Sequence, residues 1–176
     1  MKRILCLILA LLSVILCGCH YAEGGDILEP VEFYYPRNST SFVYGTDSGV
    51  IDYEVREASG HVGDLSYLLT MYLYGPQDED LRSPFPAGCT LTSLRSEGDT
   101  LFITFSEAFT ALENTELTLA CAAVAKTCLS MTDFTNICID AKSESRTVSI
   151  LLNSESLLFA DLTALEETAA QENPQP

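Results

Sequence analysis

The chain has 176 residues, a formal net charge of −16 and a sequence isoelectric point near 4.2. Such a surplus of carboxylates excludes nucleic-acid binding by phosphate neutralisation, and it excludes electrostatic adhesion to an anionic membrane. The length sets one domain, able to bury roughly two-thirds of its unfolded surface.

At the start, Lys2 and Arg3 precede an apolar run from Ile4 to Cys17. A charged start, a short apolar centre and a small-residue exit read as a secretory signal peptide over residues 1–18. The run falls short of the roughly 20 apolar residues of a transmembrane helix. Its exit, Leu16-Cys17-Gly18-Cys19, resembles the bacterial lipobox, in which the last Cys is diacylglycerylated and becomes the mature N-terminus. The resemblance makes Cys19 the lipidation site; the alternative is a plain signal peptide cut elsewhere. Removing residues 1–18 leaves 158, and losing Lys2 and Arg3 takes the net charge to −18. The hold on the bilayer then comes from lipid, at about 0.8 kcal/mol per buried methylene. Residues 19–30 mix Glu, Gly, Asp and Pro with no apolar period and read as a tether, with His20 a spacer.

The domain proper is expected over 31–160. Val31 to Tyr35, stopped by Pro36, predicts a first strand. Ser41 to Tyr44 and Val50 to Val55 flank the turn-forming Gly45-Thr46-Asp47-Ser48-Gly49, which predicts a hairpin between them. Along the second run Val50, Asp52 and Glu54 alternate with Ile51, Tyr53 and Val55, the pattern of a half-exposed strand with one charged face. Asp64 can cap a helix whose stripe is Leu65, Leu68, Leu69, Tyr72 and Leu73; Gly75 and Pro76 end it. Thr90 to Arg95 and Leu101 to Phe105 predict a hairpin with an apolar face at Leu101, Ile103 and Phe105. Ser106 to Glu113 connects onward, anchored by Phe109 and Leu112. Asn114 is placed to cap a helix over 114–131, and Glu116 lies at its positive end. Its stripe is Leu117, Cys121, Val124, Cys128 and Met131, lined by alanines that allow close packing on a sheet. Ile137 to Ala141 and Thr147 to Leu152 predict the last strands. Residues 161–176 are acidic and rich in Ala, Glu and Gln, and read as a disordered tail.

These elements predict an α+β fold: a mixed sheet of about four strands, two helices on one of its faces, and an extra N-terminal hairpin. Apart from Cys6, Cys17 and Cys19, four cysteines remain, Cys89, Cys121, Cys128 and Cys138, an even number that permits two disulfides in three pairings. In a helix, Cys121 and Cys128 are roughly 10 Å apart along the axis, beyond the ~7 Å a disulfide spans, so they do not pair with each other. The favoured reading is four small buried apolar residues. No C-x-x-C or Cys/His cluster points to zinc.

Residues 65–141 resemble the GerMN, or sporulation and spore germination, domain. The likeness rests on Leu68-Leu69, Tyr74-Gly75-Pro76, Leu81-Arg82-Ser83 and Phe85-Pro86-Ala87-Gly88-Cys89. It continues through Leu91 to Leu94, Asp99 to Ser106, the Glu-bearing helix and the strand Asn136 to Asp140. Cys89 stands where Thr is usual, and Ala141 where Gly often follows the Asp. The resemblance implies an extracytoplasmic, often lipid-anchored, non-catalytic domain with a βαββαβ-like order similar to the ring-building modules of secretion assemblies.

Reactive constellations are sparse. Ser59, His61 and Asp64 lie within six positions, too close to converge as a catalytic triad, so no catalytic residue is assigned. Asp78, Glu79 and Asp80 lack the alternating spacing of a Ca²⁺ loop, and no metal or other cofactor is expected. The leading expectation is a lipid-anchored interaction domain on the outer face of the bacterial cytoplasmic membrane, in sporulation or germination. Its partners are the membrane, through the lipidated N-terminus, and a protein or further copies of itself, docked at an exposed strand edge or helix face. The alternative is a lipoprotein that binds cell-wall glycan or peptide through Tyr34, Tyr35 and Tyr53. A hydrolase of unfamiliar type, with His61 as base, is a third reading.

Overall fold

Two sheets and two helices make up residues 29–38 and 49–160, the part of the chain described by this computed structural model. The leader, Cys19, most of the tether, the run Ser41–Tyr44 and the tail 161–176 lie outside the described residues. The first sheet is an antiparallel pair, β1 (Pro30–Pro36) and β2 (Ile51–Glu57). Helix α1 (Leu65–Leu73) follows, then the hairpin β3 (Leu91–Glu97) and β4 (Thr100–Phe105). A 3-10 turn (Glu107–Ala111) leads into helix α2 (Asn114–Met131), and β5 (Asn136–Lys142) and β6 (Thr147–Asn153) complete the second sheet. Its order is β3-β4-β5-β6, with β4 and β5 parallel and both outer pairs antiparallel. The fold is therefore α+β with a mixed four-stranded sheet. Parallel neighbours need a long crossover, and α2 supplies it.

Local chemistry explains most of the boundaries. The Asp64 carboxylate accepts from the Tyr67 amide at 3.0 Å, the cap its position predicted. Leu68, Leu69 and Tyr72 are buried, while Tyr67 and Tyr74 lie off the stripe and are exposed. Gly75 ends α1 at φ +86°, and its amide donates to the Tyr72 carbonyl. A Cβ there would also press on Ser83 at 3.4 Å. Gly98, at φ +55°, turns β3 into β4.

Helix α2 enters differently from expectation. Glu113 is the residue before the helix and makes no capping bond through its side chain. Asn114 takes φ +49°, a left-handed conformation that Asn tolerates, so its side chain is not the cap. Glu116 in the first turn receives a two-pronged bond from Arg82, at 2.7 and 3.1 Å.

The charged face of β2 is also the reverse of what the alternation implied. Register places Val31, Phe33 and Tyr35 on the same face as Arg56, Glu54 and Asp52, and Phe33 and Tyr35 are fully buried. Tyr53 and Val55 point the other way and are exposed. Arg56 is ion-paired with Glu54, and their side chains are only 8% and 10% exposed. Arg56 also donates to the carbonyls of Met71 and Gly75, at the C-terminal end of α1, and to the Tyr35 hydroxyl. Glu54 accepts from the amides of Gln77 and Asp78, at 2.8 and 2.9 Å. A charge pair is tolerated inside because the two groups also find backbone carbonyls, backbone amides and the Tyr35 hydroxyl. Among the described residues β2 pairs with β1, and the expected pairing with Ser41–Tyr44 lies outside the described residues.

Helix α2 is buried on more than one stripe. Ala120 to Ala125 are all at most 2% exposed, because the four-stranded sheet lies on one side and β1 on another. Thr127 accepts from the Tyr34 amide at 2.9 Å, so the helix covers the free edge of β1. Tyr72, Phe85, Phe105 and Phe109 join α1 to the sheet and the 3-10 turn through ring contacts of 4.9–6.4 Å. Phe109 is fully buried, as its role as anchor predicted.

Removing one member of the buried pair leaves the other charged and unpaired. Arg56→Met is expected to lower stability by about 3 kcal/mol, read from the midpoint of urea unfolding. Glu54→Gln combined with Arg56→Met should cost less than the two single changes summed.

Candidate functional site

The helices and core lie on one face of the four-stranded sheet, the face of Leu101, Ile103, Phe105, Ile137, Ile139 and Ala141. The opposite face carries the alternate residues and is open to solvent. Register sets these in rows across the strands. One row is Arg95, Phe102, Cys138 and Leu151, and the next is Ser93, Thr104, Asp140 and Ser149. In the first row the Arg95 guanidinium lies 3.7 Å over the Phe102 ring, with Glu97 at 3.6 Å, and Leu151 is 62% exposed. In the second, the Ser149 hydroxyl donates to Asp140 at 2.6 Å, and the Cys138 thiol faces the same carboxylate at 3.8 Å. The arrangement offers one cation, two carboxylates, three hydroxyls and an apolar patch on a rigid floor, a set suited to surface contact. The sequence held a signal for it in the polar alternation Ser93, Arg95, Glu97, but alternation alone cannot tell which faces go uncovered.

The residues singled out earlier fall elsewhere. The Asp64 carboxylate is engaged as a helix cap, and the His61 ring stacks on Tyr67 with centroids 4.0 Å apart. Asp78, Glu79 and Asp80 are exposed in a loop held by backbone bonds: Asp78 accepts from the Asp80 amide, and Asn38 binds the Glu79 and Asp80 carbonyls. Among the described residues no three His, Cys, Asp or Glu side chains gather where they could hold a metal ion. The three tyrosines part company. Tyr35 is buried, donating to the Tyr72 carbonyl at 3.0 Å, while Tyr34 is half-buried and Tyr53 is 47% exposed. Thr127 and the Glu54–Arg56 pair, which organise this region, were missed.

Cys89, Cys121, Cys128 and Cys138 are free thiols. Burial pushes Cys121 and Cys128 up to about 12 and Cys89 up to about 11. Cys138 is raised by burial and by the Asp140 carboxylate, so at neutral pH it is a protonated donor and a poor nucleophile. Among the described residues no helix is long and apolar enough to cross a membrane.

A family model described as Germane, sporulation and spore germination, matches residues 32–157. The match takes in the N-terminal hairpin as well as both helices and the four-stranded sheet. Among solved structures, the chain is similar to the 2.5 Å crystal structure of a candidate lipoprotein from Clostridium perfringens. Identity is 16%, coverage is 77% of this chain and 95% of that one, and the TM-score is 0.46. No curated protein matches the chain.

The thiols give the fold a pH dependence of known sign. Unfolded thiols ionise from about pH 8.5 upward, whereas Cys121 and Cys128 stay protonated in the fold until about 12. The folded state therefore binds more protons in between, and stability falls as pH rises. Each such thiol should shift the unfolding equilibrium by about tenfold per pH unit once the unfolded thiol is ionised. Thermal unfolding between pH 9 and 10 should show this slope, and Cys128→Ala should flatten it.

Proposed function

Because the chain belongs to the Germane family of sporulation and spore germination domains, we propose that it is a lipid-anchored interaction domain. It sits on the outer face of the bacterial cytoplasmic membrane and serves sporulation or germination by contact, without catalysis. The observation that carries this reading is the open face of the four-stranded sheet, rigidly backed by the core and presenting Leu151, Phe102 and Arg95 outward. The lipobox-like exit at Cys19 supplies the anchor.

Charge distribution supports the same reading. Arg37, Arg56, Arg82 and Arg95 each have a carboxylate partner, and Arg146 donates to the carbonyls of Thr110 and Leu112 at 2.9 and 2.7 Å. With these arginines engaged internally, the acidic excess is left to the surface. An anionic bilayer repels such a body, so a lipidated Cys19 would hold the domain beside the membrane with its sheet face clear for a protein partner.

Cys19→Ala should leave the membrane fraction and lack the mass of the lipid; retention in the membrane would contradict the anchor. Leu151→Glu should stay anchored and folded yet lose partners captured by cross-linking on intact cells. An unchanged cross-linking pattern would remove the sheet face from the proposal.

A further inference from the structure

The hairpin has a second solvent-facing surface, on the side of β1 and β2 turned away from α1. Tyr53, at 47% exposed, and Val55, at 56%, lie there beside Tyr34. The two tyrosine rings are 5.4 Å apart and inclined at 43°, which makes a shallow aromatic shelf. Glu32 stands at one border and accepts from the Tyr34 hydroxyl at 2.8 Å through Oε2; among the described residues its Oε1 has no donor. The Lys126 ammonium lies over the Tyr34 ring, 5.3 Å from its centroid. The Thr127 bond to the Tyr34 amide fixes α2 on β1, and so fixes Lys126 relative to the shelf.

Two features narrow what this surface can hold. First, the chain has 25 Asp and Glu residues, yet among the described residues Lys126 makes no ion pair, whereas the arginines Arg37, Arg56, Arg82 and Arg95 all do. An ammonium left unpaired in so acidic a protein, held against an aromatic face, is complementary to an anion brought from outside. Second, the Tyr53 amide is already bonded to its neighbour's carboxylate, Asp52 Oδ1, at 2.8 Å. An incoming peptide strand would need that edge amide, so addition of a strand to β2 is disfavoured. Two inclined aromatic faces with a polar border suit a rigid ring having one apolar face and a rim of hydroxyls.

We propose that the Tyr34–Tyr53–Val55 shelf is a binding site for a glycan ring carrying a carboxylate, with Lys126 pairing the carboxylate and Glu32 accepting from a ring hydroxyl. Binding is independent of the anchor at Cys19 and of the sheet face on the other side of the core.

The test follows the NMR signals of the tyrosine rings in the full chain during separate titrations with N-acetylmuramic acid and N-acetylglucosamine, which differ by one lactyl carboxylate. The acidic sugar should shift Tyr53 and Tyr34 and bind about fivefold more tightly than the neutral one, the scale of an exposed ion pair. Lys126→Gln should erase that preference while leaving neutral-sugar binding in place, and Tyr53→Ala should weaken both sugars by roughly tenfold. Both side chains reach solvent, so an unchanged melting temperature is expected and checks the fold. Equal affinity for the two sugars in the unmodified chain would overturn the proposal, as would full binding by Tyr53→Ala. Tyr53 shifts that depend on protein concentration without sugar would instead make the shelf a contact between copies, and would also overturn it.

Discussion

The buried pair of Glu54 and Arg56 is the constraint on which the first half of the domain depends. A helix of nine residues is too short to persist alone, and the C-terminal carbonyls of α1 need donors. Arg56 reaches two of the carbonyls there, while Glu54 collects the amides of the loop that follows. One dipeptide-spaced pair on a strand thus closes both the end of a helix and the start of a loop. The guanidinium also lies near the Phe33 and Tyr35 rings, at 5.3 and 5.8 Å, so the hairpin and the helix share one polar knot inside an aromatic wrapping. Tyr72 completes it by donating to the Tyr34 carbonyl at 2.6 Å.

The second half depends on smallness. Alanines at 120, 122, 123 and 125 let α2 touch β1 and the large sheet at once. Bulkier residues there would force one sheet away, since interiors are packed at crystal-like density. The helix is therefore a spacer between two sheets, and its polar exception, Thr127, is the point where it bonds to a strand edge. Burial without ion partners keeps the thiols of Cys121 and Cys128 as apolar fillers in the same layer.

Much of this was legible in the sequence wherever periodicity met punctuation. Asp64, the leucine stripe and Gly75 fixed α1 to within a residue, and the apolar alternation of Leu101, Ile103 and Phe105 named the inner face of β4. Illegible features share one cause: they depend on what lies opposite. The alternation along β2 told that two faces differ, but not that Glu54 and Arg56 are on the inner one, because their partners come from residues 71–78. Asn114 had the right chemistry for a cap and the wrong backbone. The open sheet face and the tyrosine shelf are likewise properties of uncovered surface, and a linear pattern carries no record of cover.

The bond between Tyr34 and Thr127 joins residues 93 positions apart. Synthesis runs from the N-terminus at about 5–20 residues per second, so β1 exists for several seconds before the helix that shields its edge. During that interval Val31, Phe33 and Tyr35 form an apolar ribbon whose early companion among the described residues is β2. The ribbon becomes safe when α1 delivers Tyr72, and its edge is sealed only when α2 arrives. The edge of β1 thus stays uncovered until α2 is made, and a chain cut short before residue 127 would lack the group that closes it.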